Sequence, residues 1–182
     1  MILAIDPGLA TCGWAIVAPK TGRVRGLGVL TSSPSSGIDE STDRARRAWD
    51  QAHALGSLYR ANGCTALAAE AMSFGGPPKA RFAMAIALGL SWGALAALAR
   101  ELGAPLYEVT PKEWQHAVDP EIGEKIDYDR LYRRLARFVS SMVASQLTAI
   151  VPNLRNHAID AVGVGLYTAF TPRLTTIAKG AA

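Results

Sequence analysis

Residues 2–31 read ILAIDPGLATCGWAIVAPKTGRVRGLGVLT, and this stretch decides the fold. Residues 2–6 are a short apolar run that ends in an acid, Asp6, and meets Pro7-Gly8 at once, a strand closed by a turn. Residues 13–18 and 23–31 read as two more strands joined by a Lys-Thr-Gly turn. Three strands with connections this short predict an antiparallel meander.

Outward from the meander, the loop 32–38 (SSPSSGI) leads to a helix over 40–61, with Gly63 just beyond its end. Residues 65–70 (TALAAE) are a strand that also ends in an acid, Glu70. A Gly/Pro loop over 73–78, a long apolar helix to about 102 and a strand over 105–109 follow. Residues 111–118 make a short helix and 119–125 a Gly- and charge-rich loop. A basic helix is predicted over 127–146, and a last helix over 153–170 with Asn153 or Asn156 as its cap. Strands alternating with helices build parallel pairs with right-handed crossovers. The fold class is therefore α/β, a mixed five-stranded sheet of three antiparallel strands then two parallel ones, flanked by helices. Residues 1–171 read as one domain and 172–182 as a flexible tail, with no internal repeat and no linker.

Bulk properties agree. At 182 residues the chain is long enough to bury about 70% of its unfolded surface in one core. An apolar share of 49% excludes a disordered chain. The net charge of +4, with a pI near 9.3 and clustered arginines, favours an anionic partner. Cys12 and Cys64 show no metal or disulfide spacing and read as reduced thiols of a reducing compartment. The start MILAIDPG lacks a basic leader, which argues against secretion. Residues 82–99 (FAMAIALGLSWGALAALA) reach the length of a membrane span, but Ala and Gly supply their bulk, and Lys79, Arg81 and Arg100 flank them. A buried or subunit-interface helix is expected, and no membrane partner.

The helix at 127–146 carries two stripes: Leu131, Leu135, Phe138 and Met142 on one, Arg130, Arg133, Arg134 and Arg137 on the other. The arginine stripe is either a solvated face or a nucleic-acid contact.

Acids gather at element ends. Asp6 and Glu70 close two strands, and Asp160 follows His157 by three residues, on the same face of the last helix. Asp-Pro-Gly alone is an ordinary turn, whereas an acid ending an apolar strand before a Gly/Pro loop is hard to explain by packing. Converging carboxylates raise one another's pKa unless a cation neutralises them, and hard oxygen ligands suit Mg²⁺ or Mn²⁺. Two such ions can activate water and stabilise the leaving oxygen of a phosphodiester.

Three blocks in order, AIDPGLATCGWAIV, LAAEAMSF and RNHAIDAVGVG, resemble the RuvC family of Holliday junction resolvases over about residues 1–170. The resemblance implies an RNase H-like fold and a metal site and catalytic set of Asp6, Glu70, His157 and Asp160. It also implies a homodimer that makes paired, symmetric nicks in four-way DNA junctions with Mg²⁺ (Mn²⁺ able to substitute, two ions per site), in recombination and repair. Gly89 and Gly93 would then let helices approach at a subunit interface. Lys112 and Lys125 resemble lysines near the scissile phosphate, and Phe74 resembles an aromatic that stacks at the exchange point, one position late. Lys79, Arg81, Arg130 and Arg134 join them as candidate DNA contacts, which position DNA without reading sequence. Many members carry Asp where this chain has His157. Three acids against the four positive charges of two Mg²⁺ ions reach neutrality with one phosphate. A branch-migration motor is a partner by family analogy alone. A cytoplasmic, DNA-associated location is expected, with an organellar or viral source left open.

Other readings compete. A relaxed flap or fork nuclease, or another nuclease of the same fold, differs in substrate. An actin-like ATPase or sugar kinase also opens with Ile-Asp-x-Gly, but needs a second phosphate-binding hairpin that this sequence lacks. A catalytically silent junction binder would have no need of all three acids.

Overall fold

The computed structural model describes residues 1–72, 78–122, 127–171 and 176–178, with 78–80 and 176–178 described by backbone alone. The meander forms as expected, from β1 (Ile2–Asp6), β2 (Thr11–Val17) and β3 (Val24–Thr31), with β1–β2 and β2–β3 antiparallel. Helix α1 (Glu40–Ala61) starts at Asp39, whose carboxylate accepts the Thr42 amide. Strand β4 (Ala66–Glu70) pairs parallel with β1, and β5 (Leu106–Val109) parallel with β4. Helix α2 (Pro78–Glu101) is the crossover between them.

The five expected strands are joined by a sixth, β6 (Thr176–Ala178), antiparallel to β5 at the sheet edge, in the order β3-β2-β1-β4-β5-β6. It falls within the stretch expected to be a flexible tail.

Period-two alternation divides the strands between two cores. Leu3, Ile5, Leu67 and Ala69 face the layer of α1 and α2, with Leu55, Leu95 and Leu98. Ile2, Ala4, Ala66 and Ala68 face the other layer, built from α3 (Pro111–Val118), α4 (Tyr128–Leu135), α5 (Ser141–Ala149) and α6 (Arg155–Phe170). The same alternation assigns Asp6 and Glu70 to the α6 side.

Two expectations are corrected here. The helix predicted over 127–146 is broken. After α4 the chain tightens into a 3-10 turn, Ala136–Phe138, and Val139 is drawn into a parallel bridge with Val24. Ser140 then starts a new helix as N-cap, its hydroxyl accepting the Val143 amide. The apolar stripe breaks with it: Leu131 and Leu135 are buried, but Met142 is 65% exposed. Neither Asn153 nor Asn156 caps the last helix. Pro152 sets a 3-10 turn, Pro152–Leu154, and α6 begins at Arg155 without a side-chain cap. Arg155 ties this corner down by donating to the carbonyls of Ile150 (3.0 Å) and Thr148 (2.9 Å).

Candidate metal centre

The β1–β4 ladder pairs Ile5 with Ala69, so its next rung sets Asp6 beside Glu70 at the carboxyl ends of two parallel strands. Neighbouring strands lie about 4.8 Å apart, which fixes how far these two acids can separate. Asp160 comes from α6, which crosses the same sheet face. Gly13 on β2 permits the crossing, because a Cβ there would lie 2.0 Å from the His157 carbonyl oxygen.

One oxygen from each of Asp6, Glu70 and Asp160 lies within 4.8 Å of the others. Burial, then the Asp6 charge, pushes Glu70 from 4.5 to about 7. Burial, then Asp6 and Glu70, pushes Asp160 from 3.8 to about 9. Oδ1 of Asp160 is buried without a hydrogen-bond partner among the described residues. An all-oxygen donor set, mutual repulsion and an orphaned buried oxygen together fit a divalent cation.

His157 stands beside this group, its Nδ1 2.6 Å from Asp6 Oδ2. That contact, opposed by burial, raises its pKa above 6.5. Buried Cys12 is pushed up to about 12, by burial and then by Asp6, and is an inert thiol.

Two further side chains reach the acids, and neither was anticipated from the sequence. Trp114 donates its indole N–H to Glu70 Oε1 at 2.8 Å, and Tyr128 donates its hydroxyl to Asp160 Oδ2 at 3.1 Å. Trp114 did leave a signal. It is a lone tryptophan in a short helix among Lys112, Glu113, Gln115 and His116, and a buried indole requires an acceptor. That helix is held at its start by a capping box between Thr110 and Glu113.

The expected DNA contacts separate. Lys112 is exposed in the first turn of α3, directly after β5, at the same end of the sheet as the triad. Arg81 is exposed in the first turn of α2, and the Lys79 side chain lies outside the described residues, as do Phe74 and Lys125. Arg130 and Arg134 are engaged within the chain. Arg130 donates to Asp119 (2.7 Å) and Glu121 (2.9 Å), and Arg134 lies 3.2 Å from the same buried Asp119. The acids missing from their stripe come from the preceding loop.

No protein-family model matches the chain. A crossover junction endodeoxyribonuclease RuvC of Rubrobacter xylanophilus is 26% identical over 177 residues, 96% of this chain and 88% of that protein. The structure of Thermus thermophilus RuvC in complex with a Holliday junction substrate matches with a TM-score of 0.66 at 21% identity, covering 93% of this chain and 92% of that one. A yeast mitochondrial Holliday junction resolvase matches at 0.63 with 12% identity, over 92% of this chain and 77% of its own. The structural likenesses establish the fold, and the curated relative aligns over 96% of this chain.

Proposed function

We propose, on the premise of its kinship with the RuvC-family Holliday junction resolvases, that this chain is a structure-selective endonuclease that resolves four-way DNA junctions by paired nicks. The observation that carries the reading is the convergence of Asp6, Glu70 and Asp160 at the carboxyl ends of the two central strands, their oxygens within 4.8 Å of one another.

The triad would hold Mg²⁺, with Mn²⁺ as substitute, and the chemistry supplied by a bound cation pair is water activation and stabilisation of the leaving oxygen. His157 keeps a proton at Nδ1 toward Asp6, which leaves Nε2 of the neutral ring as a fourth donor. Lys112, exposed beside the site, holds a backbone phosphate. Arg130 and Arg134 are tied to Asp119 and do not supply free charge.

Pairing of two nicks calls for two sites, and α2 supplies the surface for a homodimer. Among the described residues, Phe82 is 71% exposed, with Met84 and Ile86 on the same helix also exposed. A Cβ at Gly89 or Gly93 would meet nothing within 4 Å, so a second helix can approach there. The same helix has the length and composition of a membrane span, with a mean hydropathy of 1.9. A dimer seam accounts for it without a bilayer.

The test is a cleavage assay on four-way junction, fork, flap and RNA–DNA hybrid with Mg²⁺. Symmetric paired nicks confined to the junction are expected. Equal cutting of forks and flaps would favour the relaxed branched-DNA reading.

A further inference from the structure

Each carboxylate of the triad has two oxygens, and in each of them one oxygen is already engaged, that of Asp6 by His157 Nδ1. Glu70 Oε1 accepts from Trp114, and Asp160 Oδ2 accepts from Tyr128, while Asp160 Oδ1 is buried and accepts nothing. Both donors are neutral. The contacts described to these three acids come from Trp114, Tyr128 and His157, none of them a lysine or arginine. A cationic donor would orient a carboxylate equally well, but would repel a divalent ion and cancel the charge that attracts it. An indole N–H donates only, so it engages one carboxylate oxygen without adding charge.

The donors are themselves fixed. Trp114 is fully buried against α6 at Gly163, where a Cβ would come within 2.2 Å of the indole ring. Tyr128 sits at the start of α4, whose first turn is held by the Asp127 carboxylate on the Arg130 amide. The Arg130–Asp119 contact anchors the same turn to the loop after α3.

We propose that Trp114 and Tyr128 are positioning residues: each ties one oxygen of its carboxylate and so presents the other to the cation, without adding charge. This rests on the metal-nuclease reading above. The two donors lie on helices that carry none of the three acids, so the metal geometry depends on α3 and α4 as well as on the sheet and α6.

The experiment is calorimetric titration of Mn²⁺ into the full chain, into Tyr128→Phe, which removes only the hydroxyl, and into Trp114→Phe, which removes the indole N–H together with part of the ring system. Each variant should bind Mn²⁺ about 10-fold or more weakly, the usual cost of losing such a partner. Junction cleavage should need correspondingly more metal and recover at saturation. A purely structural role would lower the melting temperature and leave Mn²⁺ affinity and metal dependence unchanged in the folded protein. That result would overturn the proposal. If Trp114→Phe fails to fold, Tyr128→Phe, at a half-buried edge, decides alone. A parent chain that binds no Mn²⁺ sinks the metal-nuclease reading itself; a parent that binds, with variants within about twofold of it, sinks only this inference.

Discussion

His157 Nδ1 lies 2.6 Å from Asp6 Oδ2, although the two residues are 151 positions apart. The carboxylate raises the imidazole pKa, so below that raised value the ring is cationic and paired with Asp6. A protonated ring cannot ligate, and it competes with metal for Asp6. Cleavage should therefore fall on the acid side of a midpoint that lies above the ordinary 6.5 at low Mg²⁺ and moves down as Mg²⁺ rises. His157→Asp should lose this movement. Rate profiles at two Mg²⁺ concentrations read it, and a profile flat across neutral pH counts against it.

Asp6→Asn should abolish cleavage, by about 10²-fold or more, while junction binding persists. Gel-shift and cleavage assays on one substrate separate the two. Loss of binding would make Asp6 a structural residue.

Without metal, the triad costs stability. Glu70 rises to about 7 and Asp160 to about 9, so the folded state binds more protons than the unfolded state between the ordinary and raised values. Folding stability then falls as pH climbs through that window, and Mg²⁺ restores it most at the alkaline end. In chelator at alkaline pH, Asp160→Asn should gain about 1–2 kcal/mol, or roughly 2–8 °C in melting temperature. Thermal melts of both proteins with and without metal check this. A melting temperature that rises with pH in chelator would contradict the electrostatic account.

Five of the strands and four of the helices were legible because local rules suffice there. Asp39 caps α1, Thr110 and Glu113 box α3, and the Pro7-Gly8 turn closes β1. The triad was legible for a related reason: an acid ending an apolar strand has no packing role. What the sequence concealed was tertiary. Val139 leaves its helix to bridge Val24, a partner more than a hundred residues away. The arginine stripe looked acid-free until Asp119 and Glu121 arrived from the preceding loop. Tyr128 left no local signal of its role and Trp114 only that of an indole in need of an acceptor, so proximity identifies their partners.

Asp119→Asn should release part of the hold on Arg130 and Arg134. Asp119 is buried, but the arginines are partly exposed and screened, so a loss of about 1–3 kcal/mol is expected. The freed guanidiniums should strengthen low-salt DNA binding and steepen its salt dependence. Filter binding across a salt series measures this. An unchanged slope would mean the arginines stay out of reach of DNA.

Gly13→Ala should disturb the centre from a distance. Its methyl group would collide with the His157 carbonyl and push α6 away, at about 1–3 kcal/mol. Cleavage should fall further than stability predicts. Activity measured well below the melting temperature tests this.

The close approach at Gly13 also divides the metal centre mechanically. Asp6 and Glu70 form a fixed jaw, their spacing dictated by backbone rungs that no side-chain change can alter. Asp160 and His157 ride on a movable jaw, a helix whose height over the sheet is set by what lies beneath it. Changes on β1 and β4 therefore act as on–off lesions. Changes beneath or beside α6 act as adjustments of the gap, the coordinate along which a chain of this fold can be tuned between cations of different radius.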